Sequence, residues 1–363
     1  MLRLVALLAF AGVCALGLGQ GACAEPFTAG ERHLTTSAPG AALRNRGDPI
    51  LRITVWYPAK ASETDLYTGS ASAPIFILGA VAEDAPFADD AKRPVVLLSH
   101  GLGGSARQLT WLGAALARHG YIAVAVDHPG ANSLDGMTDV GAYAPWARAG
   151  DLTAALDAIL LSRSDVAMHV APGRVGVTGY ALGAYAALLS AGARSRFADF
   201  TAFCDGPERD AMCGPQLEYP LDERQRHEVL ARPALRELVT HEGADMRDLR
   251  VKSAFLIAPA FIQALAAPSL ARIGVPVGMV LAGDDTIAPN VTNGEVVRRM
   301  VSAAKETVLP GVGHYDFLAE CGPAGPQAVG QLCSEGPESK RAKVHQSAEA
   351  AAIEFFDTTL DAR

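Results

Sequence analysis

The sequence is short of charge and of aromatic side chains. Charged residues fill 19 % of its 363 positions and aromatics 6 %. The net charge is −8, and no cluster of Lys and Arg appears, so nucleic acid is excluded as a partner, because phosphate binding needs concentrated positive charge. Internal repeats and low-complexity tracts are missing too. Past the first segment no apolar run approaches the ~20 residues that span a bilayer. The cysteines are too widely spaced, and too far from any histidine cluster, for a metal site. A metal site at the cysteines is therefore a weak reading, and no cofactor is expected. What the chain does have is 50 % hydrophobic residues, enough for one large domain with a sizeable core.

The first segment reads as an export signal, residues 1–24. Arg3 precedes an apolar run from Leu4 to Gly19, and Ala22-Cys23-Ala24 places small residues where signal peptidase cuts. The run is short for a membrane anchor. Lipidation at Cys23 is disfavoured by Gln20, where a lipobox prefers Leu. A periplasmic or secreted location follows, with a mature chain of residues 25–363. Cys204, Cys213, Cys321 and Cys333 then remain, and an even count in an exported chain reads as disulfides. Of the three connectivities, 204–213 with 321–333 is the simplest.

Strand and helix patterns alternate along the chain. LRITVWY at 51–57 suits a strand. PVVLLS at 94–99, YIAVAV at 121–126 and RVGVT at 174–178 are apolar without alternation, as in a parallel sheet covered on both faces. Helices are expected at 108–119, 147–161 and 182–191. Later strands are read at 253–257, 275–281 and 306–309, and a closing helix at 344–360. Residues 60–91 read as a loop region. Residues 201–250 are charged and helical in pattern, and read either as a cap-like insertion over the site or as a surface excursion. The order predicts an α/β fold with a mostly parallel central sheet flanked by helices.

In such a sheet, chemistry gathers at the C-terminal strand ends. Three ends carry motifs. His100-Gly101-Leu102-Gly103-Gly104 matches the glycine loop that donates an oxyanion-hole amide in esterases, with Leu102 the donor. Gly179-Tyr180-Ala181-Leu182-Gly183 has the strand–turn–helix context of the nucleophile elbow G-x-S-x-G, with alanine at the centre and Leu182 as the second amide donor. Asp285, in Gly283-Asp284-Asp285-Thr286, and His314, in Gly311-Val312-Gly313-His314, follow in the chain order nucleophile, acid, histidine. Asp284 competes with Asp285 for the acid.

On these pieces the chain resembles the bacterial predicted dienelactone hydrolase and platelet-activating-factor acetylhydrolase-like group of α/β-hydrolases. The matching stretches are TVWYPA (54–59), SHGLGG (99–104), AVDHPG (125–130), GYALGAYAAL (179–188), GDDTIAPNVTN (283–293) and PGVGHYDFL (310–318). The resemblance implies the α/β-hydrolase fold, no metal, a small-molecule ester or acyl ligand, Asp285 as acid and His314 as base. The chain departs from the group's GHSxGG-like elbow at Tyr180, Ala181 and Ala184. Three departures together point to natural divergence rather than one engineered replacement.

Loss of the nucleophile in a comparable triad costs on the order of a million-fold in kcat, about 8 kcal/mol. Three expectations remain open on this basis. The protein is a non-catalytic binding or interaction protein, or His314 activates a water beside the Ala181 methyl, or the nucleophile has moved to Ser99, Ser105 or Thr178.

Overall fold

The computed structural model describes residues 27–161, 165–220, 222–333 and 340–360. Residues 1–24, read above as an export signal, lie outside them. Eleven strands run in chain order: β1 (Thr28–Ser37), β2 (Ile50–Ala59), β3 (Thr64–Ser70), β4 (Ala73–Glu83), β5 (Arg93–Ser99), β6 (Ile122–Asp127), β7 (Val170–Tyr180), β8 (Val251–Ile257), β9 (Val277–Ala282), β10 (Lys305–Leu309) and β11 (Glu320–Cys321). They form one sheet in the order β10-β9-β8-β7-β5-β6-β2-β1-β4-β11, with β3 paired to β4.

From β10 to β6 every pairing is parallel. β5, β6 and β9 are buried at every residue, which explains why their sequences do not alternate: both faces are covered. Four helices supply most of the cover: α1 (Thr110–Arg118), α2 (Arg148–Leu161), α3 (Leu182–Ser190) and α4 (Lys340–Thr359). α1 packs with α4, and α2 with α3, giving a helical layer on each side of the sheet. None of the described helices is long and apolar enough to cross a membrane.

The other side of the sheet, antiparallel except where β1 pairs with β4, differs from the sequence reading. Residues 60–91 contain strands β3 and β4 rather than a loop alone, and β1 was not read at all. β3 is exposed over most of its length. Its strand form comes from the ladder to β4, not from a buried face, so no apolar alternation marks it. The 201–250 stretch holds helices Glu223–Leu230 and Arg236–Thr240, and Phe197–Asp205 leads into it. Disulfides join Cys204 to Cys213 and Cys321 to Cys333.

The strand order fixes where a ligand can sit. The chain leaves β5 toward β6 on one side, while β7 lies on the other. A crevice opens at such a reversal, beyond the C-terminal strand ends. Ser99, the last residue of β5, lies opposite Gly179 of β7, so the glycine loop and the elbow turn leave the sheet at the same level.

Candidate active site

The elbow is built by close packing. A Cβ on Gly179 would stand 2.1 Å from the Gly183 carbonyl oxygen, and one on Gly183 would stand 1.9 Å from that of Ser99. Both positions therefore demand glycine. Between them Ala181 has φ 51° and ψ −117°, a backbone state that costs a non-glycine residue on the order of 1–3 kcal/mol. Its N–H donates to the Ile257 carbonyl (2.9 Å), and its own carbonyl accepts from Ala184 (2.9 Å) and Ala260 (3.3 Å). The turn keeps the strained geometry that would present a nucleophile, while its side chain is a methyl group.

Ala181, Leu102, Leu182 and His314 line one cavity of about 70 Å³. That is room for several waters or a small acyl group, at about 10–15 Å³ of such volume per water. No described residue accepts a hydrogen bond from the Leu102 or Leu182 N–H. Leu182 opens α3, so its amide is one of the unpaired donors of a helix start.

His314 stands opposite. Its Nδ1 donates to Asp285 Oδ2 at 2.7 Å, and both side chains are buried. Asp285 Oδ1 accepts from the amides of Ile287 and Ala288, which fix the carboxylate. With Nδ1–H engaged, Nε2 is left as the acceptor on the other edge of the ring. Asp284 is exposed and makes no such contact. Tyr180 braces the same histidine, its hydroxyl donating to the His314 carbonyl at 2.9 Å. Burial, then the nearby Glu218 and Asp285 charges, push the Tyr180 phenol well above its usual range, so it remains a neutral donor.

The 201–250 stretch reaches the cavity through Met212, Gln216 and Glu218. Burial, then the Glu218 charge, raise the neighbouring Tyr315 phenol. Glu218 was not singled out from the sequence, since nothing local distinguishes it from surface carboxylates.

The other hydroxyls lie elsewhere. Thr178 is fully buried in β7, and its Oγ1 has no hydrogen-bond partner. Ser105 starts a short 3-10 turn after the glycine loop. Ser99 has a histidine of its own. Its Oγ lies 2.8 Å from His128 Nε2, and His128 Nδ1 lies 2.9 Å from Asp151 Oδ2. Asp151 is also gripped at both oxygens by Arg44. Ser99, His128 and Asp151 are all 0 % exposed, and none lines the cavity. The β5–β6 register, which pairs Ser99 with Val126, brings His128 to Ser99.

One group of three potential metal ligands occurs among the described residues, Glu31, His33 and Glu83. The Arg107 guanidinium already sits among them, bonded to all three, so a cation site there is filled by the chain itself.

A parallel sheet with a glycine-loop amide, a strained strand-to-helix elbow and a buried His–Asp pair at its switch point defines an α/β-hydrolase-type protein. The model of the α/β hydrolase family matches residues 95–323, more than half of the chain, and the protein belongs to that family. Among solved structures it is similar to a ferulic acid esterase from Streptomyces cinnamoneus, with 21 % identity, a TM-score of 0.59, and coverage of 94 % of this chain and 93 % of that one. At that identity the likeness speaks for the fold. No curated protein matches the chain.

Proposed function

We propose that this cavity binds a small ester or other acyl compound, and that the site descends from a Ser–His–Asp hydrolase whose nucleophile position is now Ala181. Leu102 and Leu182 donate to the ligand's carbonyl oxygen, and His314, oriented by Asp285, is the base. Without a hydroxyl at position 181 no acyl-enzyme can form. The remaining route is direct attack on the acyl carbon by a water that fills the space beside the Ala181 methyl and gives its proton to His314 Nε2; the tetrahedral adduct then breaks its bond to the alcohol oxygen, which leaves with that proton from His314. The oxyanion donors and binding alone are worth a residual ~10³–10⁴-fold over water, so turnover is slow. The dienelactone hydrolase and acetylhydrolase-like group remains the subgroup we assign, and the 201–250 stretch is its cap. Export is part of the same reading, supported by the two disulfides.

One observation carries the proposal. Ala181 retains the strained elbow geometry, with its methyl in the cavity shared by His314 and Leu102. Hydrolysis of p-nitrophenyl acetate by the native protein and by His314→Ala tests it. Slow turnover that disappears in His314→Ala is expected. Turnover indifferent to His314→Ala contradicts the assignment of the base. Ala181 also favours a second reading, a binding protein without turnover, and saturable ligand binding with no hydrolysis above background would select it.

A further inference from the structure

Arg148 is the first residue of α2 and is 1 % exposed. Burial pulls its pKa down to about 9, so it still carries its charge at neutral pH. No carboxylate of the described residues forms an ion pair with it. Its partners are backbone carbonyls instead: His100 at 2.6 Å, Gly101 at 3.3 Å and Ala131 at 3.5 Å. Its Nε has no partner. The Asp151 charge favours it through space without touching it, and a buried guanidinium with no carboxylate in contact is a costly way to fill space, which calls for a reason beyond packing. Two of its three acceptors belong to the glycine loop.

The Gly101 carbonyl accepts from the Gly104 N–H at 3.4 Å across the loop's own turn, and it has a second side-chain donor. His100 Nε2 accepts the His128 backbone N–H at 3.2 Å, which places the ring proton on Nδ1. That Nδ1–H then donates to the Gly101 oxygen at 2.7 Å. Burial, together with the neighbouring His128 and the Arg148 charge, holds His100 well below the usual histidine range, so it stays neutral and keeps this tautomer.

The Gly101 carbonyl and the Leu102 N–H belong to one peptide group. In a trans peptide the two point in opposite directions, and the chain has no cis bonds among the described residues. We propose that Arg148, with His100, is a positioning clamp for the Leu102 amide. By holding the Gly101 oxygen from behind, the pair turns the Leu102 N–H toward the cavity. Donors on the oxygen also polarise the peptide and strengthen its N–H as a donor. The clamp acts through the backbone and does not touch the ligand. It rests on the reading of Leu102 as a donor to a bound carbonyl.

Amide NMR of the whole protein tests both, with N-methylacetamide, an unreactive analogue of methyl acetate, as the probe. In the native protein the Leu102 and Leu182 amide protons should both move downfield on titration. Arg148→Lys keeps the charge but gives up the two-carbonyl grip. There the Leu102 response should fall by about half or more, as expected for a misaimed oxyanion donor, while the Leu182 response persists. Should Arg148→Lys fail to fold, His100→Asn weakens the other side-chain donor to the same carbonyl and should lower the same signal. Both amides responding, with Leu102 indifferent to these substitutions, overturns the clamp alone. Neither amide responding in the native protein overturns the acyl-binding reading and the clamp with it.

Discussion

Two histidine–aspartate pairs stand at the C-terminal edge of this sheet, and they invert each other. His128 has its serine, Ser99, and its carboxylate, Asp151, at hydrogen-bond distance, but all three are sealed from solvent. His314 has its carboxylate, Asp285, and a cavity in front of it, with Ala181 in that cavity at the position we propose once held the serine. The complete set has no access, and the accessible set is incomplete. Hydrogen-bond geometry alone therefore does not mark a hydrolase site. A nucleophile needs a substrate-sized space and an oxyanion donor beside it; of the two pairs only His314 lines a cavity, and the Leu102 and Leu182 amides there are the donors we propose.

The surroundings of the two pairs differ in the same sense. Burial opposes the Asp151 charge, but Arg44 and the His128 hydrogen bond outweigh it and hold its pKa below the usual carboxylate range. That charge is spent on neutralising Arg44 inside the core. Asp285 is held by two backbone amides and the imidazole, a set that orients the histidine and leaves its far edge open.

The largest expected effect comes from completing the incomplete set. Ala181→Ser should raise kcat for p-nitrophenyl acetate on the order of 10⁴-fold or more, because a single triad member is worth up to ~10⁶. In that background Ser99→Ala should leave hydrolysis within about twofold, since Ser99 is buried outside the cavity and touches no reacting atom. A large loss on Ser99→Ala would reverse the roles assigned to the two pairs.

Stability should split the pairs the other way. Asp151→Asn leaves the Arg44 guanidinium buried without a counter-charge, and urea denaturation should show a loss of about 3–5 kcal/mol. Asp285→Asn keeps an oxygen for the two amides, and its loss should be about 1 kcal/mol. Equal losses would remove the distinction between a structural and a functional carboxylate.

The pH dependence follows from His128. Burial, then the Arg148 charge, push its pKa down to about 4 against the opposing pull of Asp151. The unfolded chain, with an ordinary histidine near 6.5, binds more protons than the folded one between those values. His128 therefore contributes stability that is present above about pH 6.5 and lost as pH falls toward 4, about 3 kcal/mol in all. His345, buried and likewise pushed down to about 4, adds to the same slope. Denaturation midpoints between pH 4 and 7 should flatten by one proton's worth in His128→Asn.

The disulfides should contribute less than the Asp151 charge. Cys204→Ser opens a loop with a sequence separation of 9, worth about 2–3 kcal/mol. Intact mass with and without reductant should differ by four hydrogens if both bridges form.

Much of the parallel half of the fold was legible, because strands buried on both faces write themselves as unbroken apolar runs. β5, β6 and β8 fall close to where the sequence puts them. The antiparallel half was not, since β3 is exposed and β1 mixes charge with small residues. Asp285, His314 and the elbow were readable from motif and chain order. The Arg148 clamp, the Ser99–His128–Asp151 set and Glu218 were not, because each depends on contacts between segments that no local spacing records. Ser99 and Arg148, for instance, reach partners 29 and 48 residues away.

The most direct test of the two-pair comparison is labelling with a serine-directed fluorophosphonate, read by peptide mass spectrometry. Native protein should remain unlabelled even though it holds the complete Ser99 set, and Ala181→Ser should take up one label, at position 181. Labelling of the native protein at Ser99, or an Ala181→Ser variant that folds and stays unlabelled, would contradict the account.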